Sequence, residues 1–267
     1  MFDTVTPEHT VHRHRSLFLS DLHLGSVGSR ADLLLKFLKQ NTADAYILVG
    51  DILDIDHHAV ARWSPAHQAV VDHLCARKNA GADIVYVRGN HDPNPANAPI
   101  GQRLPVEAAD HAVHVGPDGQ RYLVVHGDAQ DSRILRSTSL RHVGAKMDYG
   151  LRVLDRMISG LFLAARPERR SAIAFLLSWA NWGLYPSRAH ERRLIDLARA
   201  GGFDGVICGH FHMARLHDRY GLTYANCGDW VDSFTALAAD HTGRLHLLGG
   251  RASYARTVRA SFQAELA

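Results

Sequence analysis

Short apolar runs alternate with helix-length stretches through the first half of the chain. Residues 16–19 read as a buried strand, 31–40 as an amphipathic helix and 45–49 as a second strand. Residues 66–80 then read as a helix, 83–87 as a strand, and 121–125 as a further strand after the turn Gly116-Pro117-Asp118-Gly119. Apolar runs of four to eight residues separated by helical periods predict βαβ units and a largely parallel sheet. From residue 131 to 199 the pattern is helical throughout. Leu151, Leu154, Ile158, Leu161 and Phe162 share one helical face, and Ile173, Phe175, Leu176, Leu177, Trp179 and Trp182 are apolar nearly all round. Strand patterns return at 204–208, 222–226, 234–239 and 244–248. The expectation is one α/β domain over residues 1–267, interrupted by a helical insertion at about 131–199.

Composition narrows this picture modestly. With 267 residues and 46% apolar content the chain can bury a sizeable core. Cys75, Cys208 and Cys227 are odd in number and far apart, which fits unpaired thiols in a reducing compartment. The first fifteen residues are polar and histidine-rich, without a signal-like apolar core. The longest apolar stretch, 172–180, is interrupted by Ser178 and falls short of the roughly 20 residues that span a bilayer. A cytoplasmic protein, peripheral to the cytoplasmic membrane at most, is the expectation. The net charge of +3 is too weak to argue for nucleic acid, and no interleaved basic and aromatic strand surface suggests base stacking.

The residues that close each predicted strand carry the chemistry. The first strand ends in Ser20-Asp21-Leu22-His23, the second in Gly50-Asp51, the third in Gly89-Asn90-His91-Asp92, the fourth in His126-Gly127, and Cys208 leads into Gly209-His210-Phe211-His212. Ligands of open α/β sheets bind at the carboxyl ends of strands. Each fragment alone is commonly a turn or a helix cap. Five in succession, each at a strand end, point instead to one polar centre. Carboxylate and imidazole donors suit Mn, Fe or Zn better than an all-oxygen cage. Asp21 and His23, and likewise His210 and His212, are alternate residues of segments read as extended, so each pair is expected to point one way. The glycines at 50, 89, 127 and 209 permit tight turns and close approach.

The set Asp21-x-His23, Gly50-Asp51-x-x-Asp54, Gly89-Asn90-His91-Asp92, His126-Gly127 and Gly209-His210-x-His212 resembles the calcineurin-like metallophosphoesterase superfamily. The resemblance implies a four-layer α/β/β/α sandwich with two divalent transition metals, Mn first and Fe or Zn as alternatives. It implies Asp21, His23, Asp51 and His212 on one ion, and Asp51, Asn90, His126 and His210 on the other, with Asp51 bridging. It also implies a catalytic pair in which His91, hydrogen-bonded to Asp92, serves as the acid. Two such ions acidify water and clamp phosphate oxygens. Cys208 and Cys227 read as small core residues.

The insertion decides among phosphoesters. Residues 131–193 hold twelve basic side chains against five acidic ones, a net of +7, which leaves −4 for the rest of the chain. A block both basic and apolar fits a phospholipid-like substrate or contact with the inner face of a membrane. A helical hairpin with a solvated basic rim is the plainer alternative. The stretches Tyr122-Leu-Val-Val-His126-Gly127-Asp128, Asp204-Gly-Val-Ile-Cys208-Gly-His210 and Asn226-Cys227-Gly228-Asp229-Trp230-Val231-Asp232-Ser233 resemble the UDP-2,3-diacylglucosamine diphosphatase family, in its branch with His in the Gly-Asn-His-Asp motif. That resemblance implies pyrophosphate cleavage to UMP and an acylated sugar phosphate, under a helical lid. Leu154, Ile158, Leu161, Arg133 and Arg136 are its candidate substrate contacts. The chain departs from the pattern at Ile55-Asp56-His57-His58 and at Pro93-Asn94-Pro95. His57 and His58 read as loop residues, with a further metal role as the alternative. A hydrolase of soluble phosphodiesters or phosphomonoesters, and an inactive scaffold of the same fold, are the competing readings.

Overall fold

The computed structural model describes residues 11–26, 28–55, 63–92, 99–130 and 188–250. The lid candidates Leu154, Ile158, Leu161, Arg133 and Arg136, and the pair His57 and His58, lie outside the described residues.

Among the described residues eleven strands form two sheets. The first contains β1 (His12–Leu19), β2 (Asn41–Val49), β3 (Asp83–Val87), β4 (Ala108–Ala109), β10 (Thr235–Ala239) and β11 (Leu245–Gly249), ordered β11-β10-β1-β2-β3-β4. The second contains β5 (Ala112–Val115), β6 (Arg121–Val124), β7 (Gly205–Cys208), β8 (Arg215–His217) and β9 (Thr223–Asn226), ordered β5-β6-β7-β9-β8. The centres are parallel, through β1-β2-β3-β4 and β6-β7-β9. The flanks are antiparallel, at β1-β10, β10-β11, β5-β6 and β8-β9. The sheets are therefore more mixed than the apolar runs imply. The expected central strands match to within a few residues, whereas β4, β5 and β8 were not expected.

Each central strand is apolar on both faces because each face meets a different layer. Phe18, Ile47, Val49 and Val87 of the first sheet pack against Tyr122, Val124, Ile207 and Ala225 of the second. On the other face Leu17, Leu19, Tyr46 and Leu48 meet α1 (Ala31–Gln40) and α2 (Pro65–Asn79). The α1 stripe is Ala31, Leu34, Phe37 and Leu38, at helical spacing. Ser64 caps α2 through a capping box with His67, and Pro65 fills the first turn, where a missing N–H costs nothing. Leu123, Val206, Cys208 and Tyr224 bury the outer face of the second sheet under α3 (Ala189–Ala200), through Leu194, Ile195 and Ala198. The order is helices, sheet, sheet, helix: the four-layer sandwich. Residues 189–199, expected in the insertion, belong to that outer layer.

Candidate metal centre

Parallel strands in both sheets deliver their carboxyl ends to one place. The segment after β1 is tied to the segment after β2 by bonds from Asp21 N–H to the Gly50 carbonyl and from His23 N–H to the Asp51 carbonyl, both 3.0 Å. The segment after β7 is tied to that after β6, where Gly209 N–H meets the His126 carbonyl at 3.1 Å. Seven non-glycine residues among those described adopt positive φ, and five of them are Asp21, His23, Asp51, His210 and His212. A side chain in the left-handed region costs roughly 1–3 kcal/mol, and such residues cluster where function over-determines the backbone. The 21–23 and 210–212 segments are therefore coiled, not extended. Gly50 explains part of the fit: at φ +79° its Cβ would lie 2.3 Å from His126 Nδ1.

Two groups of donors result. Asp21, His23 and His212 present atoms within 4.8 Å of one another, as do Asp51, His126 and His210. His210 and His212 thus serve different groups, against the expectation from alternation and in the partition the family resemblance implies. Asp51 Oδ2 stands between them, 3.2 Å from His126 Nε2 and 3.9 Å from His23 Nε2.

Asp21, Asp51, His23 and His126 are each anchored by one atom and offer another. Asp21 Oδ2 accepts from Ser20 Oγ and from His210 N–H, and Oδ1 makes no hydrogen bond while lying 3.2 Å from His212 Nε2. Asp51 Oδ1 accepts from His91 N–H at 2.8 Å. His126 Nδ1 lies 3.0 Å from the Val49 carbonyl. A carbonyl only accepts, so Nδ1 carries a proton, and buried Nε2 is the ring atom turned toward Asp51. His23 repeats the device, with Nδ1 3.4 Å from Asp54 Oδ2 and Nε2 buried without a hydrogen bond. His212 Nδ1 lies 3.9 Å from Asp229 Oδ1. Backing an imidazole with an acceptor fixes its tautomer for metal binding. The Asn90 carbonyl oxygen is likewise buried without a hydrogen bond. Buried carboxylate, amide and imidazole lone pairs that lack hydrogen bonds and converge are the donor set of a divalent cation, so these residues fit the metals the family implies.

Electrostatics agree. Burial opposes ionisation of Asp21, but the charge of His212 beside it holds it down at about 2. Burial likewise opposes the charged form of Asp51, and His126 keeps it well below the carboxylate range. His212 is pushed up to about 10, burial being outweighed by Asp21 and Asp229.

His91 and Asp92 have partners other than each other. Asp92 accepts four backbone N–H bonds, from Asp51, Ile52, Leu53 and Gly89, at 2.7–2.9 Å. It is a clamp on the Asp51 turn. The carboxylate facing the His91 ring is Asp54, at 3.7 Å. Burial lowers the His91 imidazole, but the neighbouring carboxylates of Asp54 and Asp51 win and raise it to about 9. Asp54 and Asp229 are absent from the sequence-derived site. Asp54 was visible three places after Asp51, and Asp229 sits in a stretch noted only for its family likeness. Trp230 N–H also binds the Asp21 carbonyl at 3.1 Å.

The family described as calcineurin-like phosphoesterase matches residues 14–214. A UDP-2,3-diacylglucosamine hydrolase of Stenotrophomonas maltophilia (strain K279a) is 25% identical over 249 residues, covering 85% of this chain and 96% of that protein. The protein of the same name from Aeromonas salmonicida is 26% identical over 227 residues, covering 76% and 79%. A solved phosphoesterase from E. coli aligns loosely over 87% of this chain and 97% of its own, at 15% identity and a TM-score of 0.41.

Proposed function

Because the chain belongs to the calcineurin-like phosphoesterase family, a family of metal-dependent hydrolases of phosphoester bonds, we propose that it cleaves the pyrophosphate of a lipid-linked sugar nucleotide such as UDP-2,3-diacylglucosamine. UMP and an acylated sugar phosphate are the products. The observation that carries the hydrolytic part is the pair of donor groups meeting at Asp51. Asp21, His23, Asp51 and His212 would hold one divalent ion, and Asp51, Asn90, His126 and His210 a second, with manganese as the first candidate. When bound, such ions supply Lewis acidity toward phosphate oxygens and acidify water.

The protein's own residues do the rest. Strand ends from two sheets hold the donors before substrate arrives, so no reorganisation accompanies the reaction. His91 is cationic at neutral pH and held by Asp54, and it neutralises charge that builds on phosphate oxygens in the transition state or protonates the leaving oxygen. The buried cysteines are unsuited to attack phosphorus: burial pushes the Cys208 thiol up to about 12, and Cys227 also well above its usual value. Water is the nucleophile.

The lipid-linked substrate is supported by relatives named UDP-2,3-diacylglucosamine hydrolase and by the basic, apolar composition of residues 131–193. The same composition supports peripheral contact with the inner leaflet of the cytoplasmic membrane. Among the described residues no helix is long and apolar enough to cross a membrane. The test incubates purified protein with Mn²⁺ and either UDP-2,3-diacylglucosamine or bis-p-nitrophenyl phosphate. UMP release at a rate far above diester hydrolysis is expected. Brisk diester hydrolysis with no UMP would replace this reading with a hydrolase of soluble phosphoesters.

A further inference from the structure

A second polar knot lies beside the centre, on the outer face of the second sheet. Glu191, in the first turn of α3, is fully buried. Its Oε1 lies 3.4 Å from Arg215 Nη1, and its Oε2 lies 3.4 Å from His217 Nε2 and accepts from the Tyr220 hydroxyl at 3.1 Å. Arg215 and His217 both belong to β8, the edge strand that directly follows the His210–His212 segment. The preceding α3 residue, His190, packs its ring 4.4 Å from Phe211 and 6.2 Å from His210, centroid to centroid. Consecutive residues of one helix therefore grip the segment at both ends: His190 where it leaves β7, Glu191 where it enters β8.

That grip has a physical purpose. His210 and His212 both sit at positive φ, at +74° and +55°. A segment holding two such residues keeps its shape only if its surroundings impose it. A short edge strand imposes little by itself, since among the described residues β8 pairs with β9 alone, over Arg215, Leu216 and His217. A buried carboxylate is also weak evidence for stability, because desolvation of the charges offsets much of their attraction.

We infer that Glu191 is a positioning residue: through Arg215 and His217 it fixes β8, and so sets the His210–His212 segment in the shape that binds divalent metal. The inference rests on the metal reading of the centre. Partners outside the ligand set shift metal affinity by about 10–100-fold when removed.

The test measures Mn²⁺ binding by titration calorimetry, with melting temperature in chelator beside it. Wild-type protein is compared with Glu191→Gln, which keeps the shape and removes the charge, and with the double variant Glu191→Leu/Arg215→Met, which replaces the pair by apolar groups. Glu191→Gln is expected to weaken Mn²⁺ binding by about ten-fold or more. The double variant is expected to recover the melting temperature and to keep the weakened binding. Unchanged Mn²⁺ affinity in either folded variant overturns the inference, as does recovery of both quantities together in the double variant. Failure of both variants to fold assigns the knot to general stability and overturns it too. A wild-type protein that binds no Mn²⁺ would instead refute the metal reading, so the two failures are distinct.

Discussion

Removing the Asp92 carboxylate should unfold the Asp51 turn before it affects any proton transfer. Oδ2 accepts from the backbone N–H groups of Asp51 and Gly89, and Oδ1 from those of Ile52 and Leu53. Asp92→Ala orphans four donors. Asp92 is partly exposed, so water can reach some of them, and the lower bound of ~1 kcal/mol per orphaned N–H applies. The loss is then about 4 kcal/mol, against a total stability of roughly 5–15 kcal/mol. At about 2–4 °C per kcal/mol for a chain of this size, the melting temperature should fall by roughly 8–16 °C. Asp92→Asn keeps one accepting oxygen and turns an amide N–H₂ toward the other pair of donors, whichever way the amide is flipped. About half the loss is expected, roughly 4–8 °C. The assay is differential scanning calorimetry in chelator and in Mn²⁺, with hydrolysis measured over a series of leaving groups. An unchanged melting temperature, with activity lost only on poor leaving groups, would refute the clamp and restore a His91–Asp92 catalytic pair.

The remaining expectations concern the centre and the insertion. His91→Ala should retain metal and slow turnover by roughly 10²–10⁴-fold, with the deficit shrinking for acidic leaving groups; an equal deficit across the series would leave His91 a purely electrostatic role. In chelator, stability should fall as pH rises. His91 and His212 have folded values raised to about 9 and about 10 from 6.5, so their contribution is complete below pH 6.5 and lost on passing through the raised values. A chelated protein whose melting temperature is flat from pH 6.5 to 10 would contradict this. Changing Leu154, Ile158 and Leu161 together to Gln should weaken capture of a diacylated substrate by more than about ten-fold while sparing a small diester, since each buried methylene contributes ~0.8 kcal/mol. Parallel loss on both substrates, with a lowered melting temperature, would make that stripe core.

Hydrophobic period is a local property, and whatever depends on it was legible in the sequence. The runs that became β1, β2, β3, β6 and β7 are apolar on both faces because both faces are covered, and their polar terminators mark the candidate site. The first helix, Ala31–Gln40, follows from its spacing of Ala31, Leu34 and Leu38. The strands β4, β5 and β8 span two to four residues at or near sheet edges, too short for a period to declare itself, and neighbouring strands define them. Within the centre, the sequence supplied the donors and only the tertiary structure chose their partners. His23 is backed by Asp54 from 31 residues away, and His126 by the Val49 carbonyl from 77. Asp21 binds His210 N–H across 189 residues. No local rule links positions so far apart. The same holds for Asp92, whose neighbour His91 suggests a pair, while its oxygens meet the Asp51 turn about forty residues earlier in the chain. Left-handed backbone at Asp21, His23, Asp51, His210 and His212 is a minority state even for Asp and His, which visit it more often than most non-glycine residues. Propensity therefore could not foretell it; the crossing of strand ends from two sheets imposes it.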